Sequence, residues 1–265
     1  MDLGLNGRCA LITGGSRGIG LAIARALVAE GAAVSICGRD PDALALAAKS
    51  LGDVHTQQVD MADSASIDAW VGAAAEALGG IDIVVSNVSG LGGAGVDAWR
   101  RNFEVDVLGY VHLVQAALPR LEESDAASIV AIGTTAAVET FGGNPAGPYG
   151  ALKAATIHHT SGLAQTLAPK GIRANVVSPG PVYFEGGSWA TIKEQNPAFY
   201  ESILGQIPRG SMGAAEEIAN VVAFLASPAA GFVTGVNVVA DGGLTKKVTI
   251  DDVVRAAPWP APAQS

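Results

Sequence analysis

The sequence predicts an α/β fold: a single doubly wound domain built on a mainly parallel sheet with helices on both faces. Three observations carry that prediction. Short apolar runs alternate with longer stretches of helical periodicity, the pattern of strands covered on both sides. A glycine-rich turn, TGGSRGIG, stands where the first strand ends and the first helix begins. With 34 glycines and only 5% aromatic residues, the composition favours close helix-on-sheet packing. At 265 residues, 49% of them apolar, the chain is long enough to bury a large core.

The elements follow in order. A strand over residues 9–13 leads to a helix over 18–30, which Gly31 stops with the left-handed cap that glycine favours. A strand over 33–37 leads to a helix over 41–51, for which Asp40 supplies an N-cap and Pro41 a first-turn proline. Strands over 54–59 and 81–86 bracket a helix over 64–78, and one long helix is expected over 96–121. The fifth strand, 128–133, precedes a helix over 148–168, and the sixth spans 173–178. A last helix over 214–226 and a strand over 237–240 bring the sheet to seven strands. No repeat, charge block or long linker divides the chain, so one domain is expected over 1–243.

Two segments break the alternation. Residues 182–212 form a long insertion, richer in aromatics than the rest, and 244–265 read as an appended tail with a mobile Pro/Ala-rich end. The uncharged run from Ile218 to Ala240 is long enough to raise the question of a membrane span. Asn220, Ser227-Pro228, Gly231, Gly235 and Asn237 interrupt it, so it reads as a buried helix, a turn and a buried strand.

Charge and composition exclude several classes of partner. A net charge of −9 argues against nucleic acid, which needs a clustered basic surface, and against an anionic membrane. Cys9 and Cys37 sit in apolar runs without metal or redox spacing, as expected of free buried thiols in a reducing compartment. The first fifteen residues lack a basic start followed by a long apolar run, so no signal peptide is expected and the cytoplasm is the expected location. His158 and His159 are adjacent on a helix and face different directions, while His55 and His112 are distant in sequence; no metal site is expected.

The glycine turn has a ligand logic. Gly14 permits the tight turn, Gly18 lets backbone approach a pyrophosphate, and Gly20 lets the helix press on the strand. The free N–H groups of the helix terminus and its partial positive charge then suit phosphate. In spacing, T-G-x-x-x-G-x-G resembles the short-chain dehydrogenase/reductase family, and the likeness continues along the chain. Asp60-Met61 resembles the position after the third strand that touches adenine. SNVSG, with Asn87, Val88 and Ser89, resembles N-N-A-G after the fourth strand. YGALK, Tyr149 to Lys153, matches Y-x-x-x-K, and SPGPV, with Pro179, Gly180 and Val182, matches the P-G turn after the sixth strand. VADGG, ending at Gly243, closes the pattern. The resemblance implies a Rossmann-type fold, a nicotinamide cofactor held also by Ser16 and Ile19, and hydride transfer to or from a carbonyl or alcohol.

Cofactor choice turns on the end of the second strand, where an acidic residue holds a ribose 2′-hydroxyl and arginine accommodates a 2′-phosphate. Gly38 occupies the place of the acid, Arg39 follows, and Arg17 points to the same side in relatives that prefer NADP. A guanidinium fork suits phosphate. Asp40 is the competing acid, and its N-cap role explains it more simply. NADP(H) is favoured, with NAD(H) open.

The reacting constellation centres on Tyr149 and Lys153, four apart and hence on one helix face. A nearby ammonium favours the phenolate and is expected to lower the tyrosine pKa. The resemblance adds that Lys153 binds the nicotinamide ribose and that a serine ends the fifth strand. Here AIGTT places Thr134 at that position, with Thr135 open because the spacing to Tyr149 is longer than usual. Asp106 stands where the family has an asparagine holding a water of the proton relay. An ionised Asp106 would oppose the effect of Lys153 on Tyr149, or pair with the lysine.

Residues around Tyr183, Phe184, Gly186, Gly187, Trp189, Phe199 and Tyr200 lie where relatives place a mobile substrate lid, suggesting a cover over a fairly apolar substrate; an ordinary packed helix pair fits as well. Phe184 takes the place of a threonine that contacts the cofactor amide. The fold hosts reductases of 3-oxoacyl thioesters, steroids, sugars and small ketones and does not choose among them. The resemblance implies a homotetramer, in which the tail either covers a neighbour's site or is a disordered end. Arg100 and Arg101 offer weak attraction for an acyl carrier protein. A different class stays open, motivated by Thr134 and Asp106: an NADP(H)-binding sensor or scaffold whose catalysis is weak or lost.

Overall fold

The computed structural model describes residues 2–140 and 147–245. Most of the expected tail, and part of the segment between Thr134 and Tyr149, lie outside the described residues.

Seven parallel strands form the main sheet: β1 (Cys9–Thr13), β2 (Ala33–Gly38), β3 (His55–Gln58), β4 (Ile83–Ser86), β5 (Ser128–Ile132), β6 (Arg173–Pro179) and β9 (Asn237–Ala240). Their order is β3-β2-β1-β4-β5-β6-β9, so the direction of winding reverses between β1 and β4. That reversal opens a crevice at the carboxyl ends of the strands, the place where doubly wound sheets take ligands.

Strand alternation divides the core into two faces. Ala10 and Ile12 of β1 point to the side covered by α1 (Gly18–Ala29), α2 (Pro41–Leu51) and α9 (Ala215–Ala226), where Ile23, Leu27, Leu44, Ile218 and Val222 are buried. Leu11 points to the other side, against α3 (Ser64–Leu78), α5 (Gly109–Leu121) and α6 (Pro148–Leu167), where Trp70, Leu113 and Leu121 are buried. With both faces covered, β1, β4, β5 and β6 are buried along their whole length, and β1, β4 and β5 accordingly read as nearly continuous apolar runs. Asp40 caps α2 as expected, its Oδ1 accepting from the N–H of Asp42 at 3.0 Å and of Ala43 at 3.1 Å.

Two expectations, the long helix and the start of the tail, need correction. The long helix over 96–121 is interrupted: α4 (Gly95–Asn102) passes into a π-helical segment, Phe103–Leu108, before α5 resumes. The insertion after residue 182 contains the helix pair that the sequence left open, α7 (Ser188–Gln195) and α8 (Pro197–Leu204). It rises from a two-stranded parallel stem of β7 (Val182–Tyr183) and β8 (Gly213–Ala214). These helices share a small core of Tyr200, Ile207 and Met212, flanked by Trp189 stacked on Phe199. Leu244 is buried in that same core, and Thr245 donates from its N–H and its hydroxyl to Asp241. The two residues placed in the tail by sequence therefore belong to the folded body.

Both cysteines are free and buried, and burial pushes the Cys37 thiol up to about 12. Among the described residues no helix is long and apolar enough to cross a membrane, and no group of three His, Cys, Asp or Glu side chains is arranged to hold a metal.

Candidate active site

The carboxyl ends of β1, β4, β5 and β6 bring the sequence-selected residues together. At the end of β1, Gly14 adopts φ +65°, a backbone that glycine takes without strain. Gly20 lies so close to Gly14 that an added Cβ would fall 2.8 Å from the Gly14 carbonyl carbon and 2.6 Å from Asn87 Nδ2. The turn and the first turn of α1 are therefore in direct backbone contact. Asn87 locks this arrangement, its Nδ2 donating to Thr13 O at 2.9 Å and Gly14 O at 3.3 Å. Thr13 Oγ1 in return accepts from the N–H groups of Asn87 and Val88. Asn87 thus holds the turn through its own backbone.

No side chain caps the N-terminus of α1, because its N-cap is Arg17. The first N–H groups of the helix remain open to an anion, and this cradle fits the pyrophosphate of a dinucleotide. Arg17 and Arg39 are both exposed, and Gly38 at the end of β2 carries no acid. Ser16 lies beside Gly38, its Oγ 3.4 Å from where a Gly38 Cβ would stand. Asp60 is exposed with Oδ1 accepting from Ala62 N–H, whereas the Met61 side chain is buried in the core. Gly180 pairs with β9 through its N–H to Ala240 O at 2.9 Å, and Val182 is buried at the root of the two-stranded stem. Phe184 has its ring against the glycine turn: a Cβ on Gly18 would fall 2.5 Å from Phe184 Cζ, and one on Gly187 2.8 Å from the same ring. Where a threonine would offer a hydrogen bond, the chain presents an aromatic ring seated between two glycines.

Tyr149 is the second residue of α6, half-buried, and the Thr134 hydroxyl is hydrogen-bonded to it. Of the two threonines left open by sequence, Thr134 makes this contact. It ends the strand and its Oγ1 accepts from Ala136 N–H at 3.2 Å, which fixes its rotamer at the start of the tight turn Thr135–Ala137. Gly150, not singled out by sequence, makes the approach possible. A Cβ there would overlap the Ala136 carbonyl oxygen and lie 3.2 Å from its carbon. The signal for it was present as the glycine of YGALK, read only as a spacer.

Lys153 is almost wholly buried and fully engaged. Its Nζ donates to Ile132 O at 2.9 Å and Val88 O at 3.4 Å, and stands 3.2 Å from Asp106 Oδ1. This carboxylate contact is an ion pair of charge proximity; Asp106 Oδ1 makes no well-aligned hydrogen bond. Asp106 Oδ2 accepts from Gly90 N–H at 3.0 Å, and its backbone carbonyl accepts from Thr156 Oγ1 of α6. The π-helical segment, with its extra residue per turn, carries Asp106 to this position; such segments recur at functional sites.

The electrostatic outcome differs from the sequence expectation. Burial pushes the Tyr149 phenol up, the Thr134 hydrogen bond opposes it, and the Asp106 charge pushes it further up. Burial pulls Lys153 down while Asp106 holds it up. Burial is the largest of these effects on the phenol, and the net direction is upward. Tyr149 is therefore a protonated phenol at neutral pH, able to donate.

Asn102, also missed by sequence, fixes the loop after β4. Its Oδ1 accepts from Gly92 N–H at 2.9 Å, and its Nδ2 donates to Gly92 O at 2.9 Å and Ala98 O at 2.8 Å.

Comparison with known proteins agrees with this geometry. A family model described as enoyl-(acyl carrier protein) reductase matches residues 14–245. Isoepoxydon dehydrogenase patN of Penicillium expansum is 40% identical over 252 residues, covering 92% of this chain and 97% of the relative. Among solved structures, the Pseudomonas aeruginosa RhlG/NADP active-site complex superposes with a TM-score of 0.84 at 33% identity, covering 92% of this chain and 98% of the other. L-Sorbose reductase from Gluconobacter frateurii, complexed with NADPH and L-sorbose, superposes with a TM-score of 0.84 at 29% identity, covering 94% of this chain and all of the other (100%).

Proposed function

The chain belongs to the short-chain dehydrogenase/reductase family of NAD(P)(H)-dependent oxidoreductases of carbonyl and alcohol groups, and from that premise we propose that it reduces a small, fairly apolar ketone, or oxidises the corresponding alcohol, with Tyr149 as general acid and base. The observation that carries this reading is the contact of the Thr134 hydroxyl with Tyr149, one helical turn from a buried Lys153–Asp106 pair.

When bound, the nicotinamide supplies or accepts the hydride. Tyr149 gives its proton to the carbonyl oxygen as charge develops there, and takes it back in oxidation. Thr134 donates to the same oxygen and orients it. Lys153, fixed by Asp106 and two backbone carbonyls, holds a positive charge under the site, while burial and then the Asp106 charge push the phenol above its ordinary value. Gly14, Ser16, Gly18, Ile19 and Gly20 would hold the pyrophosphate. Asp60, Met61 (through its backbone), Asn87, Val88 and Ser89 would hold the adenosine side, and Pro179, Gly180 and Val182 the nicotinamide end. Exposed Arg17 and Arg39, with glycine at position 38, favour NADP(H) over NAD(H). The NADP- and NADPH-bound relatives support the same choice.

The protein acts in the cytoplasm as a homotetramer. Exposed Trp99, Phe103 and Leu108 near α4 and α5, and exposed Phe232 and Val236 beside β9, support burial of these faces between subunits. The net charge of −9 supports a small-molecule rather than a nucleic-acid partner.

The test is turnover of a panel of carbonyls and alcohols, in both directions and with both cofactors, by the natural chain and by Tyr149→Phe. Loss of a general acid lowers kcat by on the order of 10²–10⁴-fold. NADPH binding without turnover of any compound in the panel would assign the chain to a sensor or scaffold role instead.

A further inference from the structure

Leu91 is the one non-glycine residue with a left-handed backbone among the described residues, at φ +57°. Its side chain is 66% exposed. A left-handed conformation costs a leucine roughly 1–2 kcal/mol, and exposing the side chain to water recovers none of it. Asparagine or glycine would adopt this backbone more cheaply, and a polar side chain would sit better in solvent. Nothing in the fold repays leucine here.

The strain is imposed from both sides. On one side, Gly90 donates its N–H to Asp106 Oδ2 at 3.0 Å, and its backbone lies so close to Asn102 that a Cβ would fall 2.9 Å from that side chain. On the other, Gly92 is held at both its N–H and its carbonyl by Asn102, with Arg101 donating a second bond to the carbonyl at 3.0 Å. Leu91 N–H itself is turned back onto Ser89 Oγ at 3.1 Å. The clamped loop also reaches the reacting residue, since a Cβ on Gly92 would stand 3.6 Å from Tyr149 Cβ. The same Asp106 that pairs with Lys153 therefore fixes one end of a loop whose central residue is an exposed leucine, one position before the glycine that abuts Tyr149.

We propose that Leu91 is a specificity-determining residue: it is held out, in a strained backbone, to pack against the apolar flank of the substrate next to its reacting carbon. This rests on the carbonyl-reductase reading above and deepens it, assigning the selected substrates as ketones and secondary alcohols with a hydrocarbon ring or chain adjoining the C–O group. A strained residue persists when its surroundings over-determine it, and such residues gather at ligand sites.

The experiment compares the natural chain with Leu91→Asn and Leu91→Gly, both compatible with a left-handed backbone, so that neither loses stability through strain. Each is assayed with NADPH on 2-cyclohexenone and α-tetralone as apolar carbonyls and on dihydroxyacetone as a polar one. Thermal melting and size-exclusion chromatography are run alongside. Loss of a leucine contact lowers the apolar-to-polar ratio of kcat/KM by about tenfold or more, with a melting temperature equal to or above that of the natural chain. An unchanged ratio overturns the assignment, as does a change in oligomeric state without a change in ratio, which would make Leu91 a subunit contact. If the natural chain turns over no compound of the panel, the carbonyl-reductase reading itself falls; if it does and the variants match it, only the role of Leu91 falls.

Discussion

Gly150→Ala is the substitution that tests most directly whether the Thr134–Tyr149 contact is positional. Glycine inside a helix ordinarily costs about 1 kcal/mol relative to alanine, so by helix propensity alone the change should stabilise α6. The structure reverses that sign. The new methyl would overlap the Ala136 carbonyl oxygen and lie 3.2 Å from its carbon. Ordinary carbon–oxygen contacts fall near 3.3–3.6 Å, so α6 and the turn Thr135–Ala137 must separate by roughly 1 Å. Overpacking of that kind costs about 1–3 kcal/mol, leaving a net destabilisation of up to about 2 kcal/mol after the gain in propensity. Separation moves Tyr149, one residue before Gly150, away from Thr134, which starts the turn. Misplacing a reacting group by about 1 Å costs on the order of 10²-fold in rate. The assay is kcat for NADPH-dependent carbonyl reduction, read beside urea unfolding to measure the stability change and fluorescence titration to measure NADPH binding. A folded Gly150→Ala variant whose kcat falls by less than about threefold would refute the idea that this approach of α6 to the turn sets the geometry of the acid.

Asp106→Asn should make alcohol oxidation set in at lower pH. Oxidation uses the phenolate of Tyr149, which burial and the Asp106 charge both disfavour; removing the charge lets the phenol ionise at lower pH, and an unchanged pH–rate profile would contradict this. Thr134→Val removes the hydroxyl at nearly constant volume and should reduce kcat by roughly 10²-fold, whereas Thr134→Ser restores the donor and should keep most of it, as steady-state kinetics would report. Arg17→Ala combined with Arg39→Ala should weaken NADPH binding far more than NADH binding in fluorescence titrations, by about tenfold or more per lost charge-assisted contact; equal weakening of both would remove the arginines from cofactor choice.

The parts of this molecule that follow from local chemistry were legible in its sequence. Buried strands such as β1 and β5 announce themselves because both faces are apolar, and Asp40 reads as a cap because a carboxylate before Pro41 has an evident use. Tyr149 and Lys153 share a helix face by spacing alone. What the sequence hid depends on contacts between distant segments. The π-helical segment Phe103–Leu108 has no signature in a hydrophobic pattern that is already irregular, with Phe103 and Leu108 both exposed. The upward direction at Tyr149 required knowing that the phenol is buried and that the charge of Asp106, from a distant segment, reaches it. Gly150 and Asn102 carry no chemistry of their own, so only the backbones pressed against them reveal why they are there.

The seat of Phe184 between Gly18 and Gly187 bears on how this chain can vary. Gly18 is held to glycine by its left-handed backbone, φ +56°, and by a ring from a remote strand stem; on the proposed reading the approach of a pyrophosphate adds a ligand constraint. The three positions therefore form a sterically coupled unit, in which making residue 184 small relieves the clash of a methyl at residue 18 but not its backbone strain. In a double-mutant cycle, Gly18→Ala and Phe184→Ala should fall short of additivity in stability while remaining additive in cofactor affinity. The two constraints on one glycine, folding and ligand binding, can in this way be separated and weighed against each other.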